Sequence, residues 1–171
     1  MRGVKIFSNS IVLDVGANVN SKKLVEREPL SLIPALDKYT YERNNVGVIA
    51  IDISDGDVPD LPIEFWNILV AGLRREKRDV IACCVGGHGR TGLVLSILAY
   101  LMCDEAKSDP IKFVRDNYCK NAVETYKQIE YIEEITGVVT SQVPSNLARG
   151  RVIGYSGYSN IGDMYGGSYL G

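Results

Sequence analysis

The sequence is poor in the residues that carry metal and redox chemistry. Its 171 residues hold a single histidine and four cysteines, Cys83, Cys84, Cys103 and Cys119. With one histidine and no C-x2-C pair, the common zinc patterns are excluded. The cysteine spacings form no small disulfide framework, and a chain of this length needs no such staple. No apolar run reaches the roughly eighteen residues that a membrane span requires. The start MRGVKIFSNS lacks the apolar stretch of a secretory signal, so the expected address is cytoplasmic, with no membrane partner. An excess of one charge is missing too: 19 basic residues stand against 21 acidic ones, and the pI is near 5.5. That balance gives no domain-wide footprint for nucleic acid or an anionic membrane, so any polyanion would need a local patch.

What is present describes a folded domain. The chain is 46% hydrophobic and 23% charged, with a mean hydropathy of -0.01. Its length suits one core, placed in residues 1–150. Residues 151–171 are expected to be a flexible tail, because GYSGYSNIGDMYGGSYLG has no apolar period and Asp163 is its only charge. The sharper alternative makes Tyr155, Tyr158, Tyr165 and Tyr169 recognition or phosphorylation sites.

VKIF (4–7) and IVLDV (11–15) read as edge strands, followed by a polar loop over 18–28 and a short helix in LSLIPALDKY interrupted by Pro34. VGVIAIDI (46–53) is a continuous apolar run, as in a strand buried on both faces. SDGDVPDLP breaks it, and a helix to about Arg75 follows, with Asp60 as N-cap and Pro62 in the first turn. DVIACC (79–84) reads as a second buried strand. TGLVLSILAYLM (91–102) reads as a central helix, since it is apolar almost all round. Asp109-Pro110 caps a helix through about Tyr118, and residues 122–136 form another. Cys103 and Cys119 fall within these helices as packing residues. The alternation predicts an α/β fold: a single domain with a central, mostly parallel sheet of four or five strands flanked by helices.

Between the strand at 79–84 and the helix at 91–102 lies Cys84-Val85-Gly86-Gly87-His88-Gly89-Arg90-Thr91-Gly92. Three glycines before Arg90 let the backbone curl so that successive N–H groups point inward as an anion nest. The helix N-terminus aims its positive end at the same point, and Arg90 adds a charged bidentate fork. A cysteine opening such a loop has its thiolate stabilised, which makes Cys84 a nucleophile at neutral pH. An anion cradle that holds a thiolate describes covalent phosphoryl transfer. His88 sits at the loop mouth, where it would touch substrate; as a zinc ligand with Cys83 and Cys84 it would spoil the cradle.

This segment resembles the C-x5-R-[ST] signature of the cysteine-dependent protein tyrosine and dual-specificity phosphatase superfamily. DISDGDVPD is similar to the D-G-x-x-P-[DS] acid loop of kinase-associated and related dual-specificity phosphatases, with Asp55 standing 29 residues before Cys84. AVETYKQIEYI (122–132) is similar to the segment that closes their catalytic domains. The resemblance spans roughly 46–137. It implies that Cys84 attacks phosphorus while Arg90 and the amides of Val85, Gly86, Gly87, His88, Gly89 and Arg90 hold the equatorial oxygens. Asp55 would serve as general acid, with Asp57 as its rival; Thr91 would bond the cysteine sulfur, and Gln128 would orient the attacking water. No metal or cofactor is implied. The family's usual histidine before the nucleophile is replaced by Cys83, which would act as a resolving thiol or, more simply, as a small apolar residue. The implied substrate is a phosphorylated protein carrying phosphotyrosine, with phosphoserine or phosphothreonine as further targets. The loop carries no lysine for an inositol headgroup. The alternatives are an RNA 5′-triphosphate phosphatase with the same covalent route, against which the acidic pI weighs, and a non-catalytic phosphoprotein-binding module.

Overall fold

The computed structural model describes residues 10–16, 36, 40–43, 46–76 and 79–148. The runs read at 4–7 and 18–28, the segment around Pro34 apart from Leu36, and the tail lie outside the described residues. Four strands form one sheet: β1 (Ser10–Val15), β2 (Thr40–Arg43), β3 (Val46–Ile51) and β4 (Asp79–Cys83), in the order β2-β3-β1-β4. β1 runs parallel to both neighbours, with Val15 opposite Ile51 and Asp14 opposite Cys83, while β2 is antiparallel to β3. This is the expected mostly parallel α/β sheet. The parallel registers bring the carboxyl ends of β1, β3 and β4 to one edge, where open α/β sheets place their ligands.

Two strand expectations are exchanged. IVLDV was expected at an edge, yet β1 lies between β3 and β4, with Ile11, Leu13 and Val15 fully buried. DVIACC was expected to be buried, yet β4 ends the described sheet, Val80, Ile81 and Ala82 are half-buried, and Cys83 is exposed. A short apolar run does not reveal whether one neighbour or two will cover it.

Helix α1 (Ile63–Glu76) buries Phe65, Trp66, Leu69, Val70 and Leu73, a stripe at the helical period. It begins one residue after Pro62, whose carbonyl accepts the Phe65 N–H. Asp60 is therefore too far upstream to be its cap. Helix α2 (Gly89–Met102) is the central element, with Leu93, Val94 and Ile97 fully buried against the sheet and the other helices. It starts at Gly89, two residues earlier than Thr91, so Arg90 belongs to its first turn. A short 3-10 turn (Asp104–Ala106) leads to α3 (Pro110–Asn117), which Asp109 caps through the Lys112 N–H at 2.9 Å, as the Asp-Pro pair predicted. Helix α4 (Tyr126–Thr136) begins four residues later than expected, because Thr125 is its N-cap and Val123 has φ +62. Glycine at 137, with φ +69, closes α4. A single turn, α5 (Ser145–Ala148), follows. Cys103 and Cys119 lie just outside the helices, not within them.

A hydrogen-bonded pair holds α1 to α4: Trp66 Nε1 donates to Tyr131 Oη at 2.9 Å, and Tyr131 in turn donates to the Leu61 carbonyl. Burial is the main force that raises the Tyr131 pKa to about 12, so the hydroxyl stays a donor.

Candidate active site

Residues 84–88 leave β4 and enter α2 at the carboxyl edge of the sheet. Cys84 opens the loop half-buried, and the Gly87 N–H donates to its sulfur at 3.1 Å. Burial opposes ionisation of the Cys84 thiol. The Thr91 hydroxyl, the N–H groups of Thr91 and Gly87, and the Arg90 charge outweigh it and bring the thiol pKa below its ordinary value. Among the described residues the fully buried Thr91 hydroxyl makes no hydrogen bond of ordinary geometry, so the neighbouring Cys84 sulfur is the acceptor left for it to serve. Gly87 has φ +71, which a side chain at this point would strain. Val85 and Gly86 are exposed at the rim.

Arg90 points back across the sheet edge. One guanidinium nitrogen donates to the Ile53 carbonyl at 3.3 Å, and another pairs with Asp55 Oδ1 at 3.1 Å. The Arg90 side chain is only 11% exposed, whereas Asp55 is 89% exposed, so the carboxylate covers the outer end of a buried cation. Asp57 is engaged elsewhere, with Lys127 Nζ at 3.3 Å. Gly16, in the turn after β1, makes room for the guanidinium: a Cβ there would lie 2.3 Å from Arg90 Nη1.

The start of α4 joins the two loops. Thr125 Oγ1 accepts the Gln128 N–H at 3.3 Å as N-cap and donates to the Gly56 carbonyl at 2.9 Å, fixing the turn that carries Asp55. Gln128, fully buried, accepts the Glu124 N–H at 2.8 Å and donates to the Asp57 carbonyl at 3.4 Å. Its amide thus bridges the turn around Asp55–Asp57 and the entry to α4. The Val123 N–H reaches the His88 carbonyl at 3.4 Å. Arg115 holds the same stretch in place, donating to the carbonyls of Ala122 at 3.0 Å and Val123 at 3.1 Å. That grip explains how Val123 keeps a left-handed backbone.

Of the residues expected at the site, Cys84, Thr91, Arg90 and Asp55 converge, together with the loop from Val85 to Gly89. Gln128 stands behind the loop with both ends of its amide engaged. Cys83 points its sulfur toward the Leu13 carbonyl at 3.7 Å, and its exposure argues against a buried filler. Sequence reasoning missed Gly16, Arg115 and Tyr118. Cys119 was read as packing, yet its sulfur lies 3.3 Å from His88 Nδ1. A glycine directly after a core strand was the one usable signal, because such positions often admit a neighbour's side chain. Among the described residues no group of His, Cys, Asp and Glu is disposed to hold a metal ion, and no helix is long and apolar enough to cross a membrane.

A cysteine sulfur that faces backbone N–H groups and an arginine at the carboxyl edge of an α/β sheet is an arrangement suited to holding an anion. No family model matches the chain. An uncharacterized protein of Methanocaldococcus jannaschii, MJ0215, is 35% identical over 94 residues, which cover 52% of this chain and 55% of that protein. Dual specificity protein phosphatase OPG106 of monkeypox virus is 31% identical over 80 residues, 46% of each chain. The chain thus spans about half the length of these curated relatives. Among solved structures, Tk-PTP in its active form superposes with a TM-score of 0.51 at 25% identity, covering 76% of this chain and 80% of that one. These relatives and the shared fold support a likeness to the cysteine-dependent protein tyrosine and dual-specificity phosphatase superfamily.

Proposed function

We propose that the chain is a phosphatase that hydrolyses phosphomonoesters on proteins, phosphotyrosine foremost, through a cysteinyl-phosphate intermediate. The observation that carries this reading is the convergence of the Cys84 sulfur, its Thr91 and Gly87 donors, and the Arg90–Asp55 pair at 3.1 Å. A substrate phosphate replaces the Asp55 carboxylate on the outer end of Arg90; freed from the guanidinium and placed beside the phosphate, the exposed carboxylate takes up a proton from solvent and stands as a carboxylic acid next to the ester oxygen. The Cys84 thiolate attacks phosphorus; the S–P bond forms as the P–O ester bond breaks, and Asp55 gives its proton to the departing oxygen. Charge growing on the equatorial oxygens meets the loop amides and Arg90. Water then attacks phosphorus, Asp55 takes its proton, and the thiolate leaves with the Thr91 hydroxyl at hand to receive its charge.

We assign to Gln128 the joining of the two loops, since orienting a water would require it to release Glu124 or Asp57. For the substrate, the rim offers Val85, exposed to 95%, and the half-exposed ring of Tyr118, apolar surfaces suited to an aryl group. The test compares hydrolysis of a phosphotyrosine peptide by wild type, Asp55→Asn and Asp57→Asn. Loss of the acid is expected to lower kcat by about 10²–10⁴-fold in Asp55→Asn, with Asp57→Asn near wild type. The reverse pattern makes Asp57 the acid. Fast release of the γ-phosphate from triphosphate-ended RNA, with phosphopeptides inert, moves the protein to the RNA class.

A further inference from the structure

We propose that Tyr118 is a positioning residue of the phosphate loop, one that turns the Gly87–His88 peptide so that its N–H faces the bound anion. The proposal rests on the reading of residues 84–90 as an anion cradle. Tyr118 follows α3, and its hydroxyl donates to the Gly87 carbonyl at 2.7 Å. A trans peptide is planar, with its C=O and N–H pointing in opposite directions. A carbonyl drawn outward to Tyr118 therefore turns the His88 N–H inward. Gly86 and Gly87 have no side chains that could fix this peptide from within the loop.

The hydroxyl is placed to act as a donor. Burial, and after it the charges of Cys119, Cys84 and Cys83, raise the Tyr118 pKa, so the proton stays on the oxygen near neutral pH. The position of Tyr118 is itself determined. Its N–H donates to the Val114 carbonyl at 2.9 Å, and the neighbouring Cys119 N–H reaches the same carbonyl at 3.2 Å. Cys119 then meets His88 Nδ1, and the Val123 N–H meets the His88 carbonyl. Two consecutive residues after α3 thus hold two consecutive loop residues from outside.

Tyr118 acts on the His88 amide and not on the Gly87 amide that bonds the Cys84 sulfur. The two effects can be separated by experiment. In Tyr118→Phe, which removes only a half-exposed hydroxyl, orthovanadate affinity and kcat for a phosphotyrosine peptide are both expected to fall by roughly tenfold, the value of one positioned hydrogen bond. The pH midpoint of Cys84 alkylation by iodoacetamide is expected to stay where it is in wild type. Unchanged vanadate affinity in Tyr118→Phe overturns the proposal while leaving the phosphatase reading intact. An alkylation midpoint that rises along with the loss of affinity also overturns it, because the whole loop has then loosened. Wild-type protein that binds no vanadate overturns the cradle itself, and this proposal with it.

Discussion

Replacing Gly16 with alanine tests whether Arg90 is held in a seat shaped by the fold. The added Cβ would stand 2.3 Å from Arg90 Nη1, 3.1 Å from its Cζ and 3.4 Å from the Ile53 carbonyl oxygen. Carbon contacts normally sit at about 3.5–4.0 Å, so something must move by about an ångström. The atom in the way is the far end of a side chain, which swings more readily than backbone. The guanidinium is therefore displaced, and with it the bonds to Ile53 and Asp55. Gly16 also has φ +107, a conformation that costs alanine about 1–3 kcal/mol. A domain with about 5–15 kcal/mol of stability survives that loss, so the protein should fold with a lower melting temperature. Complete loss of one preorganised donor to the transition state costs about 10²–10³-fold in kcat. A displaced guanidinium keeps part of its effect, and kcat/KM for a phosphotyrosine peptide should fall by roughly 10- to 100-fold. Arg90→Ala marks the lower limit. A folded Gly16→Ala protein with wild-type kcat/KM would refute the reasoning.

Three further outcomes follow from particular contacts. Because the folded Cys84 thiol titrates below its ordinary value, alkylation should reach half its maximum below the midpoint of an unstructured cysteine, and Thr91→Val should shift that midpoint upward. The linked stability runs in the same sense: it is fully present above the unfolded thiol pKa and is lost as pH falls through the lowered folded value, a difference that Cys84→Ser should abolish. Thr125→Ala removes a helix cap and the bond to Gly56, so urea denaturation should show a loss of about 1–2 kcal/mol, with kcat falling as the acid loop loosens and Thr125→Ser restoring both. Tyr131→Phe leaves the fully buried Trp66 N–H without its partner, at a cost of about 1–3 kcal/mol by the same measurement; an unchanged midpoint would show that the pair contributes nothing.

The layout of the candidate site was legible because it is local. Cys84, the glycines, Arg90 and Thr91 are consecutive, and a strand–loop–helix sequence already implies amides and a helix end around one point. Asp55 was reached through the resemblance of DISDGDVPD to a family's acid loop, with Asp57 as its rival; Asp55 pairs with Arg90, whereas Asp57 pairs with Lys127. What stayed hidden depends on contacts between distant segments. Which strand lies inside the sheet is decided by pairing partners, so β1 and β4 exchanged roles. The late start of α4 follows from Val123, whose left-handed backbone depends on Arg115 and on His88, eight and 35 residues away. A valine gives no sign of that conformation, since β-branched residues normally avoid it. Tyr118 and Gly16 belong to the same group: each acts on a loop residue far along the chain.

The central claim is that Cys84 carries the phosphoryl group. Mixing the protein with excess p-nitrophenyl phosphate, quenching in acid within the first turnovers and sequencing the peptides by mass should locate one phosphoryl group on Cys84. Cys84→Ser should show neither that adduct nor turnover. Wild-type turnover with no phosphoryl group on Cys84, or a Cys84→Ser protein as active as wild type, would contradict the account.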